Sequence, residues 1–342
     1  MGDGTRHGAV PRRPTLEQVA AHAGVSRATV SRVVNGSPTV AAGSREDVLR
    51  AIRELGYVPN HVARSLVTQR TNSVALVLPE PPDRIFPDDR YLPGIVRGVG
   101  QAVAEADRRL VLMLATGPAS QPGIERYVLA GRVDGVVVAA VPEAGALLAT
   151  LARVGIPVVC HGRPPDRSRA PYVDVDSHGG AVVAVRRLVE AGRRCIGTVA
   201  GPADRPAGLD RLAGYRAALR GSGLRPIVAV GDFTRDSGGI AMRQLLAEAP
   251  ALDAVFVASD LMALGALGAL RTAGRRVPDD VALIGFGDVD LARYTEPALT
   301  TVREPVVALG RELARQLLRS IAGADIEPAL VLSTSLVVRE SG

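Results

Sequence analysis

The stretch from Thr15 to Gly36, TLEQVAAHAGVSRATVSRVVNG, decides the fold of the amino-terminal part of this chain. Thr15 and Gln18 have the spacing of a capping box, in which hydroxyl and amide satisfy backbone N–H groups reciprocally, and Leu16, Val19, Ala20 and Ala23 recur on one helical face. Gly24 stops this helix, Val25 plugs the corner, and Ser26 caps a second helix over 27–34. Its Val30, Val33 and Val34 face inward, leaving Arg27, Ala28, Ser31 and Arg32 outside. Residues 35–38, Asn-Gly-Ser-Pro, break it. A third helix is expected from Ser44 to Leu55, with Val48, Leu49, Ile52 and Leu55 inward and Gly56 as its exit. Three short helices joined by a four-residue turn, with a polar outer face on the second, have the form of a helix-turn-helix whose second helix enters a major groove.

Charge supports a polyanionic partner for this segment. The 342-residue chain has a net charge of +6, and its first 70 residues hold ten Arg against five acids, whereas the remainder is nearly balanced. All basic residues are Arg, which suits bidentate contacts to phosphate and guanine, although the absence of Lys reads first as compositional bias. With 47% hydrophobic and 22% charged residues, the chain buries a core in two or three domains and is neither disordered nor fibrous. Residues 1–14 form a Gly/Arg-rich tail expected to be disordered. No signal peptide and no uninterrupted apolar span of about 18 residues is present, so a cytoplasmic protein without membrane contact is expected. Cys160 and Cys195 lie outside any Cys/His cluster and read as interior thiols, not as a disulfide or zinc site.

From Asn72 onward, apolar runs at 74–78, 110–115, 133–140, 157–161, 195–200, 227–230, 254–258 and 281–286 alternate with helix-length segments such as 95–106, 180–191, 211–220, 239–249 and 262–273. Such β/α alternation predicts parallel sheets flanked by helices, and the number of strands calls for two doubly wound subdomains with ligands at the carboxyl edges between them. The stretch from Pro81 to Pro93 reads as a loop.

The run from Val25 to Asn35, Leu-Gly-Tyr-Val-Pro-Asn at 55–60, Val-Ala-Arg-Ser-Leu at 62–66, Ala-Ser-Asp-Leu-Met-Ala-Leu-Gly at 258–265, Arg-Arg-Val-Pro-Asp-Asp-Val at 275–281 and Pro-Ala-Leu-Thr-Thr-Val at 297–302 closely resemble the LacI/GalR family of bacterial transcription regulators. The resemblance implies an α/β chain: a helix-turn-helix domain at 15–59, a hinge helix and linker at 60–71, and a periplasmic-binding-protein-like core at 72–342. The core would divide into an N-subdomain of about 72–175 and 303–329 and a C-subdomain of about 176–302 and 330–342. By the same resemblance, Arg27, Ala28 and Arg32 read base edges while Thr15, Ser26, Thr29, Ser31 and Asn35 hold phosphates. Independently, Arg32 suits guanine O6 and N7, and the Ala28 methyl suits thymine. In the hinge, Asn60 and His61 join the DNA-facing set, and Leu66 resembles the wedge that opens a central base step. The implied partners are palindromic operator DNA, a second copy of the chain, and a small sugar-like effector, with no cofactor or metal.

For the effector, Arg211 occupies the position at which the family places an Arg on hydroxyls or carboxylates. Ser259 and Asp260 close a strand at its carboxyl edge, Asp260 reading equally well as a helix cap. Phe86 and Tyr91 are candidates to stack on a sugar face, and Arg163, Phe286, Asp288 and Glu304 are further lining candidates. One departure bears on ligand identity: where the family commonly reads Gly-Phe/Tyr-Asp-Asp, this chain has Gly287 in place of the first Asp. The competing expectations are an enzyme of doubly wound type and a small-molecule-binding protein. Neither Gly-x-Gly-x-x-Gly after a strand nor a P-loop is present. Cys160 and His161, adjacent on a strand, point to opposite faces and make a poor nucleophile and base pair.

Overall fold

The computed structural model describes residues 14–35, 37–58, 70–78, 91–115, 117–139, 144–164 and 168–342. The chain divides into two compact units, Met1–Thr71 and Asn72–Gly342. Residues 1–13 of the expected tail, the hinge residues Asn60, His61 and Leu66, and Phe86 lie outside the described residues.

In the first unit, α1 (Leu16–His22), α2 (Arg27–Val34) and α3 (Ala42–Leu55) enclose Val19, Ala20, Val30, Val33, Val48, Ala51 and Tyr57. The capping box is formed: the Thr15 N–H donates to Gln18 Oε1 at 2.8 Å and the Gln18 N–H to Thr15 Oγ1 at 3.3 Å. Gly56 ends α3 in the left-handed conformation at φ 59°, as its position after Leu55 predicts. Two expectations are corrected. α3 begins at Ala42 instead of Ser44, because its first turn carries no apolar stripe to mark it, and Leu49 is exposed while Ala51 takes the inner position.

The second unit holds two sheets. The first, in order β11-β5-β4-β3-β1-β2, joins β1 (Ser73–Leu78), β2 (Arg109–Leu114), β3 (Val136–Val138), β4 (Val158–His161), β5 (Tyr172–Val175) and β11 (Ala329–Leu332), all parallel. The second, β12-β10-β9-β8-β6-β7, joins β6 (Ile196–Ala200), β7 (Ile227–Val230), β8 (Ala254–Val257), β9 (Ala282–Gly287), β10 (Thr300–Arg303) and the antiparallel β12 (Ser335–Val337). Helices cover both faces of each. On the first sheet, α4 (Tyr91–Glu105) and α11 (Val306–Ile321) lie opposite α5 (Gln121–Leu129) and α6 (Gly145–Val154). On the second, α7 (Ser177–Glu190) and α8 (Pro206–Leu219) lie opposite α9 (Arg235–Glu248) and α10 (Asp260–Thr272). Strands buried on both faces read as unbroken apolar runs, which is why Val74 to Leu78 is buried throughout.

α4 and α11 cross where Gly98 and Gly310 meet, and a Cβ on Gly98 would collide with the Val307 carbonyl. The subdomain boundary expected at 330 is corrected: β11 belongs to the first sheet through its pairing with β5, and the chain crosses to the second only between Leu332 and Ser335. The loop expected through Pro93 ends earlier, since Tyr91 opens α4. Cys160 is buried, and Cys195 only partly.

Candidate functional site

Two surfaces carry chemistry. The first is the outer face of α2. Ser26 Oγ accepts the Thr29 N–H at 3.1 Å and lies 2.9 Å from Thr29 Oγ1, which fixes the helix start. Asn35 Nδ2 donates to Ser31 Oγ at 3.4 Å at the other end. Arg27, Ala28, Arg32 and Asn35 are exposed, with Thr29 and Ser31 half-buried beside them. The two arginines differ. Arg27 Nε sits 3.0 Å from Glu17 Oε1 of α1, while the Arg32 guanidinium makes no ion pair with any of the described residues.

The second surface gathers at the carboxyl edges of the two sheets. Arg211 of α8 is 5% exposed and is held from four sides. Its Nη1 donates to the Ala258 carbonyl behind β8 at 2.8 Å, Nη2 to Glu304 Oε1 behind β10 at 2.7 Å, and Nε to Ser177 Oγ at the start of α7 at 3.4 Å. Its Cζ stacks 3.7 Å above the Phe286 ring of β9. An always-charged planar group is thereby fixed, with three of its five N–H groups donating to these partners. Ser259 caps α10, its Oγ accepting the Met262 N–H at 3.2 Å, so the cap role weighed for Asp260 falls to its neighbour.

Asp260 is almost fully buried and accepts the Thr301 hydroxyl at 2.6 Å and the Val289 N–H at 3.0 Å. Burial pushes its pKa up to about 6 against these bonds. Asp288, expected to line the ligand site, spends its carboxylate elsewhere: Arg303 Nε donates to one oxygen at 2.6 Å and Arg339 Nη2 to the other at 2.5 Å, clamping β9, β10 and the C-terminal segment together. Gly287 holds φ +136°, and a Cβ there would sit 3.4 Å from Asp260 Oδ2. A side chain at 287 therefore strains the backbone and faces a carboxylate.

On the first sheet, Tyr91 meets His161 at the end of β4, with its hydroxyl 2.9 Å from Nε2. Arg163 reaches Asp210 of α8 at 3.0 Å. Arg163 and Asp210 border a pocket of about 300 Å³, lined also by Tyr172, Asp174, Ser177 and His178 among others. The structure thus unites Arg211, Phe286 and Glu304, and sets Ser259 next to the Ala258 carbonyl that holds Arg211. Tyr91 and Arg163 lie at the first sheet's edge, Arg163 reaching across to Asp210, and Asp288 is held by Arg303 and Arg339. His161, Ser177, Asp210 and Thr301 were not anticipated as site residues. For His161 the available signal was an imidazole ending an otherwise apolar strand.

Two family models match: bacterial regulatory proteins, lacI family, over residues 15–60, and a periplasmic binding protein-like domain over residues 185–342. The HTH-type transcriptional regulator CelR of Thermobifida fusca is 50% identical, covering 97% of this chain and 99% of its own. The chain belongs to the lacI family of bacterial regulatory proteins. A solved CelR–cellobiose complex superposes with a TM-score of 0.75 at 46% identity, covering 96% of this chain and 100% of that one. A lac repressor dimer bound to operator and the anti-inducer ONPF does so with a TM-score of 0.83 at 29% identity, covering 96% and 99%. As a lacI-family member, the protein is an effector-controlled DNA-binding transcriptional regulator, and its close relatives are regulators, not enzymes. Among the described residues, no helix is long and apolar enough to cross a membrane.

Proposed function

We propose that this regulator, acting in the cytoplasm, binds a palindromic operator as a homodimer and that a sugar of two or more rings, cellobiose being the first to test, occupies the cleft at Arg211 and alters operator affinity. The observation that carries the DNA half is the exposed α2 face, where Arg32, without an ion pair among the described residues, stands beside Ala28 in a helix-turn-helix. Arg32 reads a base edge beside Ala28; Arg27, drawn toward Glu17, joins Thr15, Ser26, Thr29, Ser31 and Asn35 in addressing phosphates; Asn60, His61 and Leu66 supply the hinge contacts, with Leu66 prying open the central step. The effector half is supported by Arg211, a guanidinium held at the carboxyl edge of the second sheet, and by the cellobiose complex of a relative 46% identical. A closing cleft shifts the two lobes and changes the spacing of paired hinges, which couples ligand to operator.

Fluorescence anisotropy on symmetric duplexes over a series of salt concentrations, with and without cellobiose, tests both halves. Tight binding to one palindrome with a steep salt slope, altered by the sugar, is the expected result. Indifference to every symmetric duplex at low salt overturns the DNA half, and operator affinity insensitive to sugars overturns the effector half.

A further inference from the structure

We infer that His161, with its ring set by Tyr91, is a specificity-determining contact for the effector and offers Nδ1 to a ligand hydroxyl; this rests on the effector cleft proposed above. Nδ1 of His161 is buried and has no hydrogen-bond partner among the described residues. Its other nitrogen is engaged, since Nε2 lies 2.9 Å from the Tyr91 hydroxyl, with the two rings tilted by 51° at 5.6 Å between centroids. Buried polar atoms in folded proteins are almost always bonded, and an unmade bond costs folding free energy that an apolar residue would not. Nothing in β4 demands a polar group, for the residues before His161 are Val158, Val159 and Cys160. A bond that is missing at the ligand-facing edge of a sheet is accounted for by a partner present only part of the time.

Position agrees with this. His161 is the last residue of β4, paired with Val173 of β5, so it stands at the carboxyl edge of the first sheet as Arg211 stands at that of the second. Cys160 turns the other way into the cluster under α5 and α6, leaving His161 on the α4 side beside Tyr91. Two residues further on, Arg163 bridges to Asp210 of the opposite lobe, so the chain beside His161 touches both halves of the cleft. Burial pushes the imidazole pKa below its ordinary value, against a smaller opposing pull from Asp174. A neutral ring has one donor and one acceptor nitrogen, and the Tyr91 hydroxyl accommodates either tautomer. The ligand group matched to such a pair is one that also donates or accepts, a hydroxyl. A carboxylate or phosphate would instead seek the fixed charge of Arg211.

The test is calorimetric titration of the full-length protein with cellobiose, cellotriose and glucose, using wild type, His161→Leu and Tyr91→Phe, together with unfolding temperatures in the absence of sugar. His161→Leu is expected to weaken the best-binding sugar by at least about tenfold, the worth of one buried hydrogen bond, while the ligand-free unfolding temperature stays level or rises. Tyr91→Phe is expected to weaken binding in the same direction by a smaller factor. Sugar affinity within twofold of wild type in His161→Leu overturns the inference and leaves the effector cleft standing. A wild type that binds none of the three sugars overturns the sugar-effector proposal and this inference with it. Should His161→Leu not fold, the imidazole ¹⁵N spectrum of wild type decides: a shift of the His161 Nδ1 resonance on adding sugar supports the contact, and an unmoved resonance overturns it.

Discussion

Arg163 Nη2 lies 3.0 and 3.2 Å from the two carboxylate oxygens of Asp210, joining the chain after β4 to α8 and so one lobe of the core to the other. Half of the Arg163 side chain is exposed, so solvent screens the pair and its worth lies within about 1 kcal/mol. Asp210→Asn is therefore expected to leave the unfolding temperature nearly unchanged. By loosening closure it should weaken effector binding by up to about fivefold at low salt, a difference that shrinks as salt is added. Calorimetry at two ionic strengths checks both parts.

Arg32 and Arg27 sit on one helix but are expected to behave differently. Arg32→Ala removes a candidate bidentate contact and should cost about 1–3 kcal/mol on the cognate duplex, with relaxed preference at one base pair. Arg27, already drawn toward Glu17 at 3.0 Å, should on substitution by Ala lose a similar amount on all sequences and lower the salt slope by about 1. Anisotropy titrations on cognate and single-substituted duplexes distinguish the two; equal losses with equal salt slopes would contradict the assignment.

The Arg211–Glu304 pair is buried on both sides. Replacing Arg211 by Ala takes away the guanidinium that faces a buried carboxylate, and urea unfolding should show a loss of about 3–5 kcal/mol. The double variant Arg211→Met, Glu304→Leu should recover most of that stability, because an apolar pair needs no desolvated charge, yet remain blind to effector. Recovery of both stability and effector response would remove Arg211 from the ligand site.

Asp260 gives the core a pH signature. Its pKa of about 6 in the folded protein exceeds the roughly 4 of an exposed aspartate, so the native state holds the proton more tightly. The contribution therefore turns against folding as pH rises from about 4 through 6 and is constant above. Asp260→Asn removes it. In calorimetric scans, the unfolding temperature of the variant relative to wild type should climb across that interval and level off near pH 7. A constant offset across the range would show that Asp260 does not titrate there.

The course of the chain was legible wherever local chemistry and burial agree. Thr15, Ser26 and Gly56 announce caps that form as expected, and runs such as 74–78 and 254–257 are strands because parallel sheets bury both faces. Starts of helices were less legible. α4, α7, α8 and α9 each begin three to five residues before their apolar stripe, since first turns rich in Gly, Pro, Ser or Asp carry no period. β10 was hidden for a related reason: Thr300 and Thr301 look like surface residues and are buried only because β9 and the C-terminal segment cover them.

By itself the sequence determined the helix-turn-helix and the two-sheet α/β core, because capping and periodicity are properties of short segments, whereas Arg211 was singled out only through the family resemblance. Only the tertiary structure decided which groups meet. Asp288 adjoins the ligand edge in sequence, yet two arginines from separate segments claim its carboxylate, and His161 closes the otherwise apolar β4, yet its Nδ1 is left without a partner among the described residues. A polar group's availability depends on what distant parts of the chain bring to it, and no local pattern carries that.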